Sequence, residues 1–329
     1  MLPASSDLLG TAALASLDGH PLLVLDANAS GSGIPDWPIR IAVDRAGALP
    51  DCDPAMFDAL VTIRPDAPAP WVTVAPERLD ARIDRVRAGA ARAPIAATML
   101  TRVLRMGESL PFDVALELES LAYSTLLGGA EFAAWLRARA TGAPDQPAFP
   151  PVRYERDGDG VTLVLASPGN RNAMTAAMRD ALFEGLANVI EDPSGPRLIV
   201  RGEGACFSVG GHLAEFGTAS DLARAHLIRT LRSCAALLHR LRDRAEVRVH
   251  GACIGSGIEI AAAAARRIAA PGTFVQLPEL AMGLIPGAGG TVSVARAIGR
   301  HRLAWIMLGN FRVGVSQALR WGLFHAIAP

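Results

Sequence analysis

The chain has 329 residues, half of them hydrophobic, and its 32 basic and 32 acidic side chains cancel. Such a length suggests about two domains, with ample chain for a large core. With no basic excess and no uninterrupted apolar run of membrane-spanning length, neither a nucleic-acid nor a membrane partner is expected.

Every basic residue is an arginine, so phosphates must be met by guanidinium forks and no Schiff-base lysine is possible. Cys52, Cys206, Cys234 and Cys253 lack metal-ligand or disulfide-framework spacing, so no metal is expected. The N-terminus lacks a cationic n-region, and Asp7 and Asp18 bracket a weak apolar run, unlike a signal peptide. A soluble cytoplasmic protein is the expectation.

In chain order, short β-like runs come first, at Pro21–Leu25, Ile39–Val43, Phe57–Ile63 and Trp71–Val74, separated by Gly, Pro, Asp and Ser turns. Helical spacing follows from Pro76 (Leu79, Ile83, Val86), then from Pro94 to Met106, from Pro111 to Leu127 and from Ala130 to Arg139. These make a small helical module. Residues 140–151, rich in proline and without periodicity, read as a linker between a unit at 1–139 and a second at 152–329.

The second unit alternates strands and helices, which places it in the α/β class. Val161–Leu165 reads as a strand, Ser167–Ala173 as a turn, and Thr175–Val189 as a helix. Arg197–Arg201 is a buried strand ending in a glycine turn, Gly202–Gly211. One long helix is expected from about Asp221 to Arg244.

The stretch from Val249 to Ala265 organises the rest. A β-branched run breaks at Gly251, Gly255 and Gly257, then becomes Ile-Glu-Ile and alanines, a strand, glycine turn and buried helix. Amides at such a helix start point outward, and Glu259 sits beside them in an apolar setting. Ser256 and Glu259 also fit a capping box, which would make both structural.

Several pieces of the second unit together resemble the crotonase superfamily, the enoyl-CoA hydratase/isomerase family. In order they are Ser167-Pro-x-x-x-Asn172-Ala173, Cys206–Gly211, His250–Glu259, Leu277-Pro-Glu279, Gly283–Thr291 and Ala318–Leu323. The resemblance implies a spiral of β-β-α turns with a CoA thioester bound along one side. It implies an oxyanion hole from the backbone N–H groups of Gly211 and Ser256, both in glycine turns at helix starts. Glu259 and Glu279 match the family's catalytic pair, the first to orient and deprotonate water and the second to transfer a proton at C2. CoA contacts fall by position on Arg171, Ala173, Ser208, Val209 and Arg102, with Arg105 an alternative to Arg102. His212, Phe216 and Gly287 fall at the pocket. No cofactor is implied, since CoA belongs to the substrate.

Two departures stand out. His212 occupies a position where the family usually has Asp, which either alters helix capping or puts an imidazole at the pocket rim. The chain also stops at Pro329, where the family continues into helices that cap the pocket and build a trimer. Residues 72–136 resemble those helices, and the strands before them resemble a degenerate copy of the core from which no chemistry is expected. The helical stripe of Leu79, Ile83, Val86, Ile95, Leu100 and Leu104 is therefore expected to pack on residues 152–329, from the same chain or a neighbour. The implied activity is enoyl-CoA hydratase, a lyase of fatty acid metabolism, in a homo-oligomer (a trimer or dimer of trimers). Alternatives are an enoyl-CoA isomerase, an acyl-CoA hydrolase or a non-catalytic acyl-CoA-binding subunit.

Overall fold

The computed structural model describes residues 17, 19–28, 37–139 and 149–328. The four early β-like runs form β1 (Leu22–Asp26), β2 (Ile39–Asp44), β3 (Ala59–Thr62) and β4 (Trp71–Thr73), parallel and in sequence order. Ile41, Val61 and Val72 are buried here, as β-branched residues of a covered parallel sheet should be. Four helices follow: α1 (Leu79–Arg92), α2 (Pro94–Gly107), α3 (Phe112–Leu127) and α4 (Ala130–Ala138). Prolines begin α2 and precede α3, where a missing N–H costs nothing. Most of the linker expected at 140–151 lies outside the described residues.

The second unit is built on a six-stranded sheet, β13-β10-β8-β7-β6-β5. Its strands are β5 (Val152–Asp157), β6 (Gly160–Leu165), β7 (Arg197–Gly202), β8 (Ala245–Val249), β10 (Arg266–Ala269) and β13 (Ala326–Ile327). All neighbours are parallel except the β5–β6 hairpin. A smaller sheet pairs β9 (Ala252–Ile254) with β11 (Phe274–Gln276) and that with β12 (Val313–Gly314). Thr175 caps the helix α5 (Ala176–Glu191) by accepting from the Met178 N–H.

Two expected helices differ. The stretch 221–244 is not one helix but α6 (Leu222–Leu231), α7 (Cys234–Leu241) and a 3-10 turn at Arg242–Arg244. Asp221 and Ser233 each cap a new start, accepting from Arg224 N and Ala236 N, so the polar Arg232-Ser233 step ends the first helix. The helix after Gly255, α8, covers only Ser256–Ala261 before the chain turns into β10. The remaining helices are α9 (Gly290–Ile298), α10 (Arg300–Leu308) and α11 (Val315–Arg320). Among the described residues no helix is long and apolar enough to cross a membrane.

The two units share one core. Leu79, Ile83, Val86, Leu100 and Leu104 are buried in the same cluster as Leu163, Val200 and Leu303, with Ile95 half-buried against it. The helical module thus packs on residues 152–328 of its own chain. The approach is closest at Gly89, where an added Cβ would fall 1.9 Å from the Leu308 carbonyl oxygen. Polar ties reinforce it. Arg300 Nη1 donates to Phe57 O at 2.8 Å, Arg300 Nε pairs with Glu108 at 2.8 Å, and Arg85 Nη2 reaches Asn310 O at 2.8 Å.

Candidate active site

Two glycine turns lie side by side because the segments carrying them pair. Ile254 N donates to Ser208 O at 3.0 Å and Phe207 N to His250 O at 2.8 Å. Asn172 braces the same turn, its Nδ2 donating to the carbonyls of Glu203 and Cys206. The pairing needs two glycines. Gly210 (φ +86°) would put a Cβ 2.7 Å from Ile254 O, and Gly255 (φ +49°) would put one 2.9 Å from Glu279 Oε1. The next residues are Gly211 and Ser256, and among the described residues neither N–H donates to a backbone carbonyl. Ser256 begins α8, so its amide is one of the helix's unsatisfied donors.

Glu259 on α8 and Glu279, at the start of the 3-10 helix Glu279–Met282, are both buried. Their Oε1 atoms lie 4.0 Å and 2.9 Å from the single point where a Gly255 Cβ would be. Their surroundings differ. Glu259 Oε2 accepts from Ala288 N at 2.7 Å and Gly290 N at 3.1 Å. Glu279 Oε2 is buried without a hydrogen-bond partner among the described residues. Burial raises the pKa of both. For Glu259 the loop amides oppose the rise, whereas for Glu279 the neighbouring Glu259 charge adds to it. Glu279 therefore holds its proton to higher pH than Glu259.

The capping-box reading fails on this geometry. Ser256 makes no cap bond, its Oγ is buried without a partner among the described residues, and Glu259 reaches away to the 288–290 amides. A third buried carboxyl joins from α3. Glu119 accepts from Gly289 N at 2.7 Å, Thr291 N at 2.7 Å and Thr291 Oγ1 at 2.6 Å.

Both carboxyls and both open amides line one cavity of about 1410 Å3. Aromatic side chains of the helical module wall its far side. Phe132 stacks on Trp135 at 5.7 Å, and Trp135 meets Phe216 edge-on at 6.1 Å. Such a cavity can take a large, mostly apolar group, orient an oxygen on two fixed N–H donors and exchange protons between two carboxyls.

The sequence profile described as Enoyl-CoA hydratase/isomerase matches residues 158–329, just over half of the chain. The chain belongs to this family. The enoyl-CoA isomerase/hydratase fer4 of Mycosarcoma maydis is 31% identical over 176 residues. That match covers 51% of this chain and 64% of the relative, so the chain spans less than two thirds of its length. An enoyl-CoA hydratase structure from Thermoplasma volcanium is 26% identical over 54% of this chain and 71% of its own, with a TM-score of 0.50. One from Bacillus halodurans, 22% identical over 54% of this chain and 73% of its own (TM-score 0.51), shows the shared crotonase fold.

Of the residues that the family resemblance singled out, Glu259, Glu279, Gly211, Ser256, Arg171, Ala173, Val209, His212, Phe216 and Gly287 all line the cavity. Arg102 does not. It is exposed on α2, outside the cavity lining. Arg105 is engaged by Asp58 and Pro38 O, a tie between α2 and the first sheet. Ser208 is fully buried, its Oγ donating to Asn172 O and accepting from Gly210 N, so it braces the turn and presents nothing to a ligand. His212 stands at the start of a 3-10 turn, Leu213–Glu215, without capping it through its side chain. Glu119 escaped notice in the sequence. Its signal was a carboxylate on the face of Phe112, Ala115, Leu116, Ala122 and Leu126, a helical stripe otherwise turned inward.

Proposed function

We propose that this chain is an enoyl-CoA hydratase, adding water across the double bond of a 2-enoyl-CoA thioester. The observation that carries the reading is the pair of buried carboxyls beside Gly255, unequal in their hydrogen bonding. Ionised Glu259 takes a proton from water as the oxygen bonds to C3. The π electrons move through C2 to the thioester oxygen, where the N–H groups of Gly211 and Ser256 meet the charge. Each pre-aimed donor is worth about 3–4 kcal/mol in the transition state. The enolate then reforms the carbonyl as C2 takes the proton of Glu279. One proton exchange through solvent restores the pair.

On this reading CoA runs past Arg171, Ala173 and Val209 at the cavity wall, and the helices at 76–139 stand in for the family's terminal helices. An isomerase shuttling one proton between carbons needs only one carboxyl, which fits the double naming of the Mycosarcoma maydis relative. The experiment follows loss of the enoyl thioester chromophore across acyl chain lengths. Glu259→Gln and Glu279→Gln should each lower kcat by about a thousandfold or more, with thioester binding nearly intact. Activity should be bell-shaped in pH, rising as Glu259 ionises and falling as Glu279 loses its proton. A Glu259→Gln variant with full activity would exclude the hydratase mechanism and favour the isomerase.

A further inference from the structure

The loop 287–291 is held from two sides by alternate amides. Ala288 N and Gly290 N donate to Glu259, while Gly289 N and Thr291 N donate to Glu119. Two glycines make this possible. Gly289 has φ +110°, and a Cβ on Gly290 would fall 2.7 Å from Glu259 Cγ. Thr291 Oγ1 adds a third donor to Glu119, and an ionised carboxylate, which only accepts, satisfies all three. The loop is thus clamped between a carboxyl of the helical module and one of the second unit.

We propose that Glu119 is a positioning residue for Glu259: through the 287–291 loop it fixes the Oε2 of that carboxyl and leaves Oε1 to face the reacting water. The inference rests on the hydratase reading. Glu119 is not a catalytic residue, since it is buried behind the loop and does not line the cavity. The two carboxyls are nonetheless linked through the loop they share. Facing the pair are Glu279, Tyr123 one turn along α3, and Arg229 of α6. The Arg229 guanidinium lies 4.5 Å over the Tyr123 ring and donates to Ser120 and Ser124. No cation pairs directly with Glu119 among the described residues; burial and the Glu259 charge push its pKa up to about 8 against the pull of its three donors, so each carboxyl opposes ionisation of the other.

The test is the pH profile of hydration in the full chain. Glu119→Gln keeps the shape and one acceptor but removes the charge. It should lower kcat about tenfold with KM changed less than about threefold, and move the acid limb to lower pH. Thr291→Val deprives Glu119 of its hydroxyl donor and should move the limb the same way by less. Gly89→Ala, which loosens the module far from the cavity, should lower Tm and leave the limb in place. An unmoved acid limb in Glu119→Gln, or in Thr291→Val should the first not fold, makes Glu119 a structural staple and overturns the proposal. A wild-type chain without hydratase activity, or without an acid limb, would sink the functional reading instead.

Discussion

The two halves of the chain build the cavity by opposite means. Residues 152–328 bring backbone: paired glycine turns, open amides and a loop whose N–H groups fan to two carboxyls. Residues 76–139 bring side chains: Tyr123, Leu127, Phe132, Trp135 and Leu136 line it, and Glu119 backs the 287–291 loop from behind. They meet at the later half's glycines. Added Cβ atoms at Gly217, Gly283 and Gly287 would each fall 2.7 Å from Leu136, Glu131 and Tyr123 respectively, and one at Gly289 would fall 3.2 Å from Leu116. Glycines that read as turns in the sequence are therefore also the sockets into which the helical module fits.

The largest break in this comparison comes from removing one half. Residues 150–329 expressed alone would expose the surface under α1–α4 and strip one side of the 287–291 clamp. At about 25 cal/mol per Å2, a few hundred Å2 of such exposure costs about as much as a typical domain's whole net stability. The fragment should be insoluble or aggregated by size-exclusion chromatography, and inactive in the enoyl thioester assay. A soluble, active fragment would show the helical module to be an appendage, and would also remove Glu119 from the mechanism.

The contrast between halves also explains what could be read without coordinates. In the later half, Gly210-Gly211 and Gly255–Glu259 announce themselves, because a tight turn beside an open amide needs glycine at fixed positions. All four early strands and all four module helices were equally legible from β-branched runs, prolines and apolar spacing. What stayed hidden depends on contacts between distant segments. Arg102 and Arg105 look alike as exposed arginines on one helix, and only Asp58, 47 residues before Arg105, separates them. Ser208 carries a hydroxyl that any ligand could use until Asn172 O claims it. Glu119 needs the Gly289 and Thr291 amides, which lie 170 and 172 residues further on.

A smaller effect sharpens the socket idea. Gly283→Ala introduces a Cβ 2.7 Å from Glu131 Cβ and 2.8 Å from Phe132 N at φ +71°. Gly272→Ala places one at φ +79° with nothing within 4 Å. The second substitution carries only the backbone strain of the left-handed region, about 1 kcal/mol. The first adds overpacking against the start of α4, about 1–3 kcal/mol more. Thermal unfolding should separate the two, with Tm lower in Gly283→Ala by several degrees beyond the Gly272→Ala shift. Equal shifts would mean that α4 does not dock on this glycine in solution.

The smallest expected effect separates two arginines, one on each half. Arg171 is exposed at the cavity wall, in the left-handed region (φ +59°), with no ion pair among the described residues. Its carbonyl accepts from Val209 N, which holds the residue beside the Gly210-Gly211 turn whatever its side chain does. Removing the guanidinium therefore tests the charge rather than the turn, although any non-glycine replacement keeps the same left-handed strain. A solvent-exposed pair with a phosphate is worth about 0–1 kcal/mol, so Arg171→Ala should raise KM for a CoA thioester about two- to fivefold with kcat unchanged. The increase should shrink as salt screens the contact. Arg102→Ala, on the opposite half and away from the cavity, should leave both constants alone. A KM that rises with Arg102→Ala and not with Arg171→Ala would reverse the assignment, and would place the phosphates along α2 of the helical module.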